Sequence, residues 1–122
     1  MLINCFAVGA GGAIGAIFCY LLLCLFPVAS PAFPLVTMGI NIAGSFCVGL
    51  VIGATDKIIS LDPHLLLLLK VGFCGGFTTF STFSFESLEM LQNGKIIIAV
   101  IYTMLSVILC IAAVGCAQAV IK

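Results

Sequence analysis

Apolar residues form four long blocks along this chain, separated by short polar or proline-rich connections. The blocks cover residues of about 2–26, 35–55, 64–91 and 96–121. A helix needs about 20 apolar residues to cross a hydrocarbon core of roughly 30 Å, and each block is long enough. The pattern therefore predicts an all-α membrane protein with four transmembrane helices, forming a single domain over residues 1–122.

Turn and capping residues fall between the blocks. The third helix is predicted to begin with Ser60 or Asp62 as its N-cap and Pro63 at its first helical position. Because no basic segment or cleavage site precedes the first block, we expect a retained span rather than a signal peptide. The loop after the first block is predicted from three prolines and a serine, which are Pro27, Ser30, Pro31 and Pro34.

Composition supports the membrane assignment and excludes several functions. With 64% hydrophobic and 7% charged residues, the chain has more apolar surface than a soluble domain of this length can bury. Four lysines balance four acids without a basic cluster, so nucleic-acid binding has no electrostatic basis. Seven dispersed cysteines predict small apolar packing residues rather than a metal site or disulfides. No catalytic triad, zinc cluster or phosphate loop is present, so we predict that the chain is not an enzyme.

The second block carries small and polar residues at every fourth position, which places them along one helix face. They are Thr37, Asn41, Ser45, Gly49 and Gly53. One interpretation is a helix-packing stripe, with the Asn41 amide bonded across to a neighbouring helix. The other is that Asn41 faces a cavity and its N–H groups bind an anion. The pattern alone leaves both open.

The third block is unusual between Gly72 and Glu86, where glycines, hydroxyls and phenylalanines are concentrated. A Gly75-Gly76 pair flanked by hydroxyl residues is poor helix material, so we predict a helix broken between Gly75 and Thr79. The flanking segments are each about 20 Å long by helical rise, which places the break near the bilayer midplane. Broken helices offer free carbonyls to cations and free N–H groups to anions. A packing notch for a neighbouring helix is the alternative.

Phe77, Phe80 and Phe83 follow at three-residue spacing and share a face. Such a stripe is ordinarily core packing, but here hydroxyl residues alternate with it. Aromatic ring edges carry partial positive charge, so edges and hydroxyls together favour a small anion. Glu86 and Glu89 are predicted to end the helix at the membrane interface.

Two further features belong to the third and fourth blocks. Lys70 is expected below the break, with a stem long enough to reach outward. In the fourth block Tyr102 and Ser106 lie four residues apart, and Tyr102 is either an interface anchor or a polar pore liner.

The segment from Gly72 to Ser84, Gly-Phe-Cys-Gly-Gly-Phe-Thr-Thr-Phe-Ser-Thr-Phe-Ser, resembles the signature of the Fluc (CrcB) family of fluoride channels. The similarity extends over nearly the whole chain. It implies an antiparallel, dual-topology homodimer in the inner membrane that exports fluoride passively through a pore along each side of the subunit interface. It also implies a structural sodium ion, held by backbone carbonyls at positions matching Gly75 and Thr78.

The same resemblance assigns the pathway. The pore phenylalanines match Phe80 and Phe83, the pore asparagine matches Asn41, and the hydroxyl track matches Ser81, Thr82, Tyr102 and Ser106. One position departs from the family, because Cys19-Tyr20 stands where many members place an arginine before an aromatic residue. The electrostatics of the pore vestibule therefore differ here, unless a lysine supplies the missing charge.

Two other functions fit a small four-helix membrane protein. A drug/proton antiporter needs an acid in the first helix, and the first two blocks have no carboxylate before Asp56. A scaffolding subunit would give Asn41 and the phenylalanine-rich segment no purpose. The lysines fit dual topology: Lys57, Lys122 and Lys70 are predicted on one side and Lys95 on the other, a weak orientation signal.

Overall fold

The computed structural model describes residues 1–26, 33–57 and 60–122, and within them the chain forms four long apolar helical spans. The first span is α1 (Leu2–Leu25), the second is α2 (Leu35–Lys57), and the fourth is α6 (Ile96–Ile121). The third span, Pro63–Gln92, consists of α3 (Pro63–Leu67), a π-helical segment (Leu68–Phe73), α4 (Cys74–Phe77) and α5 (Phe80–Gln92). The prediction of an all-helical protein with four spans is confirmed.

The helix ends follow the capping residues of the sequence. Asp62 caps α3, because its Oδ1 accepts hydrogen bonds from the N–H groups of His64 (2.9 Å) and Leu65 (3.3 Å). Pro63 occupies the first helical turn, where its missing N–H costs nothing. Pro34 directly precedes α2. The other predicted loop residues, Pro27, Ser30 and Pro31, lie outside the described residues.

Glycines of α1 allow it to contact the third span backbone to backbone. A Cβ at Gly11 would collide with the Leu68 carbonyl, and one at Gly15 would collide with the Phe73 carbonyl. Both carbonyls belong to the π-helical segment. Gly11 and Gly15 therefore allow α1 and the third span to approach closely, as is usual in lipid, where packing drives helix association.

The helices pair in two sets that run in opposite directions. α1 and the third span begin at one end of the bundle, where His64 Nδ1 lies 3.0 Å from Asn4 Oδ1. α2 and α6 run the other way and pack closely at Gly49, where a Cβ would be 2.8 Å from the Cβ of Ala117. The carboxyl ends of α2 and α6 therefore lie at the same end of the bundle as the start of α1. Lys57 and Lys122 share that end, and Lys95 lies at the other.

The third span contains two residues with extended backbone angles. Thr78 has φ −79° and ψ 153°, and Thr79 has φ −138° and ψ 107°. These two residues lie at the end of the predicted break between Gly75 and Thr79, whereas Gly75 and Gly76 themselves belong to α4. Gly76 is a packing notch instead, because a Cβ there would be 2.5 Å from the carbonyl oxygen of Gly12. The depth of the extended residues in a bilayer stays a prediction.

Candidate functional site

The extended backbone is held by a side chain from the second span. Thr79 N donates to Asn41 Oδ1 (2.7 Å), and Asn41 Nδ2 donates to the Thr79 carbonyl (3.1 Å). An amide has one acceptor oxygen and two N–H donors, so these bonds use the oxygen and one donor. The packing interpretation of Asn41 is therefore correct for part of the amide, and one N–H remains for another partner.

Thr79 also starts the helix that follows. Its Oγ1 accepts a hydrogen bond from Thr82 N (3.2 Å) and donates to Thr82 Oγ1 (2.9 Å). A threonine in this N-cap position satisfies an N–H group that has no partner in the first helical turn. The return to helix at Phe80 is thus a consequence of local capping, whereas the extended turn before it depends on α2.

A pocket of about 250 Å³ lies beside the Asn41–Thr79 contact. Four predicted pathway residues from three helices meet in its wall: Asn41, Phe80, Phe83 and Ser106. Ser45, Thr78, Val107 and Cys110 complete the lining. Because a water molecule occupies about 30 Å³ of liquid, the pocket has room for a small anion with part of its hydration shell.

The pocket combines hydrogen-bond donors with aromatic rings. Ser106 is only 5% exposed, and its hydroxyl has no hydrogen-bond partner among the described residues. Phe80 is 78% exposed and Phe83 only 9%, with ring centroids 5.6 Å apart. Phe80 therefore lies at the open side of the pocket and Phe83 at its inner wall. A buried polar group costs free energy unless it is satisfied, so a polar ligand is the natural partner of Ser106.

Three other predicted pathway residues lie outside this lining. Ser81 is exposed on α5, and Thr82 is half-buried and bonded to Thr79. Tyr102 is completely buried and packs against Phe83, with ring centroids 5.3 Å apart. Its ring is thus neither an interface anchor nor part of the pocket wall. A role for these three residues in a pathway stays a prediction.

Glu86 is a residue whose position the sequence did not reveal. Its two carboxylate oxygens accept hydrogen bonds from the hydroxyls of Thr37 (2.7 Å) and Tyr102 (2.8 Å). Glu86 does not end the helix, since α5 continues to Gln92, and the position of Glu86 and Glu89 relative to the membrane interface stays a prediction. Two features of the sequence could have indicated these hydrogen bonds. An acid inside a span needs polar partners, and Thr37 lies one helical turn before Asn41.

A second groove, of about 200 Å³, lies next to the pocket and includes Gly75, Thr78 and Lys70. Because Thr79 N is bonded to Asn41, the Gly75 carbonyl lacks its usual helical donor, and the Thr78 hydroxyl approaches it only at 3.5 Å. The extended angles of Thr78 turn its own carbonyl out of the helical ladder. Free carbonyl oxygens are hard ligands, so these two positions fit an alkali-metal cation.

Four apolar spans, three of which line a pocket with a few polar side chains in an apolar wall, define a multi-pass membrane protein. A family model described as "CrcB-like protein, Camphor Resistance (CrcB)" matches residues 6–118, so the chain belongs to the CrcB family. The family assignment made from the sequence is confirmed.

Several relatives carry the name fluoride-specific ion channel FluC. The protein of Leptospira interrogans serovar copenhageni is 48% identical over 99 residues, which cover 80% of this chain and 78% of that protein. The protein of Ruminiclostridium cellulolyticum is 42% identical over 117 residues, covering 93% of this chain and 88% of its own length. The protein of Elusimicrobium minutum is 41% identical over 113 residues, which cover 91% of this chain and 87% of that protein. The prediction that the chain is not an enzyme is confirmed by this family.

Proposed function

We propose that this protein is a fluoride-selective channel that lets fluoride leave the cytoplasm passively and so lowers its toxicity. The observation that carries the proposal is the pocket lined by Asn41, by the rings of Phe80 and Phe83, and by Ser106, whose buried hydroxyl has no partner among the described residues. The names of its relatives point to the same ion. Fluoride efflux from liposomes that contain only this protein, compared with chloride efflux, tests the function.

The mechanism follows from the cost of dehydrating fluoride. A small, strongly hydrated anion enters a narrow polar path only if donors replace its lost water. Asn41 Nδ2 and Ser106 Oγ supply strong donors, and the edges of Phe80 and Phe83 supply weaker positive potential. A larger halide gains less from the same donors and fits the space between the rings poorly. Selectivity thus arises from the spacing of donors and rings.

A second copy of the chain would complete the site. In a membrane, polar side chains face the protein interior or a water-filled cavity, but the Asn41 pocket is open on one side in the single chain. Phe80, 78% exposed, lies at this opening and would contact the second copy. We propose an antiparallel, dual-topology homodimer in the inner membrane, with a pore along each side of the interface. The weak lysine bias between the two ends supports insertion in both orientations.

The dimer and its topology have a direct test. Chemical cross-linking in liposomes should give a dimer. A tag at the carboxyl terminus should react with an impermeant reagent in about half of the molecules of intact cells, and in all of them only after the cells are permeabilised. A tag that reacts from one side only would overturn dual topology while leaving the dimer in place.

We also propose a structural sodium ion, held by the carbonyl oxygens of Gly75 and Thr78 from both copies. When bound, the ion would supply a fixed positive charge and satisfy carbonyls that lack helical donors. Thermal unfolding of the detergent-solubilised protein tests this, because an ion that binds only the folded state raises the melting temperature. Equal melting temperatures in sodium and in N-methylglucamine salts would contradict it.

A further inference from the structure

An apolar groove of about 290 Å³ lies between α1 and α2 and is called the α1–α2 groove below. Its lining residues are all apolar: Leu22, Phe26, Leu35, Val36, Gly39, Ile40, Ala43 and Phe77. None of these residues lines the Asn41 pocket or the groove beside Gly75. A ligand of the α1–α2 groove would therefore be apolar, unlike anything that binds beside Asn41.

The α1–α2 groove has a buried floor and an open side. Ile40 and Phe77 are buried and pack together at its floor, whereas Phe26 and Leu35 are exposed at its rim. Gly39 keeps the groove open, because a Cβ there would meet no heavy atom of the described residues within 4 Å. The groove is thus a cleft in the packed surface rather than a flat apolar face.

The α1–α2 groove opens away from the side that the proposed second copy would cover. Each residue turns an α-helix by about 100°, so residues two apart point about 200° from each other. Gly39 and Ala43 therefore lie on the face of α2 opposite to Asn41. The other wall is α1, which contributes no residue to the lining of the Asn41 pocket. With a second copy on the Asn41 side, the groove faces the lipid.

The length of the α1–α2 groove matches one leaflet of a bilayer. The groove begins where α1 ends and α2 starts, and it reaches inward to Phe77, which precedes the extended residue Thr78. From Leu35 to Ala43 the helix rises about 12 Å. One leaflet of a hydrocarbon core contributes about 15 Å, half of the roughly 30 Å total. An acyl chain follows the same course, from the interface towards the midplane.

We propose that the α1–α2 groove holds one acyl chain of a membrane phospholipid. An empty cleft would deprive the side chains of its floor, Ile40 and Phe77, of dispersion contacts on one side. Lipid tails are as apolar as leucine, so a chain fills the cleft without burying an unsatisfied polar group. The bound chain packs between α1 and α2 where the two helices leave space between them. The proposal is independent of the ion that the protein conducts.

Tryptophan fluorescence tests the proposal, because the chain contains no tryptophan and one introduced residue is the only indole. Phe77→Trp places this indole at the floor of the α1–α2 groove. The protein would be reconstituted in phosphatidylcholine with or without bromine atoms at the middle of one acyl chain, since bromine quenches an indole that it contacts. Phe77 is only 8% exposed, so lipid around the protein reaches this position by entering the groove.

A leucine at Gly39 would fill the α1–α2 groove from its open side. Gly115→Leu is the matched control, because Gly115 is an exposed glycine of α6 whose Cβ would also meet nothing within 4 Å. The proposal predicts strong quenching of Phe77→Trp by brominated lipid. Adding Gly39→Leu to this variant should weaken the quenching at least about twofold, because close-packed atoms leave the chain little room. Adding Gly115→Leu should leave the quenching unchanged.

Two results would overturn the proposal: no quenching of Phe77→Trp, or equal quenching with and without Gly39→Leu. A cross-link between two Gly39→Cys chains would also overturn it, because it would show that the second copy occupies the α1–α2 groove. Should Phe77→Trp fail to fold, Phe26→Trp at the rim carries the same comparison, with helicity checked first. Because fluoride flux is not measured, these outcomes leave the proposed channel function untouched.

Discussion

The side-chain amide of Asn41 and the backbone of Thr79 form a two-way contact, 2.7 Å from Thr79 N to Oδ1 and 3.1 Å from Nδ2 to the Thr79 carbonyl. The contact joins the second span to the third at the point where the helix is interrupted. It also orients the amide so that its remaining N–H is available to the pocket. One side chain thus serves the fold and the proposed conduction path.

Replacing Asn41 with aspartate should abolish fluoride flux. The carboxylate still accepts from Thr79 N, but it repels the Thr79 carbonyl and places a negative charge where the anion passes. We expect at least about a hundredfold loss, which corresponds to roughly 2.7 kcal/mol in the barrier. Asn93→Asp adds the same charge in an exposed turn and should conduct normally. Normal flux through a folded Asn41→Asp protein would remove Asn41 from the pathway.

Phe80→Ile should slow conduction without loss of the subunit fold. The ring is 78% exposed in the single chain, so little packing within the subunit is lost, while the positive ring edge at the pocket opening disappears. Because Phe80 would contact the second copy, dimer formation is checked by cross-linking before flux is measured. We expect flux to fall about three- to tenfold, in line with the ~0.5–1.5 kcal/mol typical of aromatic contacts. Phe85, 66% exposed on the same helix and outside the pocket, provides the control substitution Phe85→Ile. Equal rates in the two variants would show that Phe80 is a packing residue only.

Tyr102→Phe should destabilise the protein, because it removes one of two hydroxyls that bind the Glu86 carboxylate. Hydrogen bonds to charged groups contribute about 1.5–3 kcal/mol, so the melting temperature should fall by several degrees. Tyr20→Phe removes a hydroxyl from a residue that is 66% exposed on α1 and should leave the melting temperature unchanged. Equal melting temperatures for both variants would mean that the Tyr102–Glu86 bond contributes nothing to stability.

Features that depend on local sequence were predictable. The four spans follow from the length of the apolar blocks, and the Asp62 cap follows from its position before Pro63. Four residues that the family resemblance grouped together, Asn41, Phe80, Phe83 and Ser106, also lie together in the pocket, and their role in conduction stays a prediction.

Features set by contacts between helices were not predictable. The extended turn is confined to Thr78 and Thr79, where an amide from another span takes the Thr79 N–H, whereas the glycines alone placed the start of the break at Gly75. The π-helical segment lies against the glycines of α1, a contact that no local pattern records. The partners of Glu86 come from two other helices, 49 and 16 residues away in sequence.

A fourth prediction concerns Gly76 and tests whether a glycine is needed there for close helix packing rather than for backbone flexibility. Gly76→Ala should destabilise the protein, because its Cβ would lie 2.5 Å from the carbonyl oxygen of Gly12 and 2.9 Å from its Cα. Backbone atoms yield little, so overpacking should cost about 1–3 kcal/mol, seen as a lower melting temperature. Gly9→Ala, with nothing within 4 Å of its Cβ, should be tolerated. A melting temperature unaffected by Gly76→Ala would contradict the close contact between α1 and α4.

Ion efflux from liposomes tests the central claim most directly. Purified protein would be reconstituted at low density, and fluoride and chloride release would be followed with ion-selective electrodes. Valinomycin would be added so that a membrane potential does not limit anion release. The account predicts rapid fluoride release with chloride release no faster than from protein-free liposomes, and loss of the fluoride signal in Asn41→Asp. Equal release of the two ions, or no fluoride release at all, would contradict it.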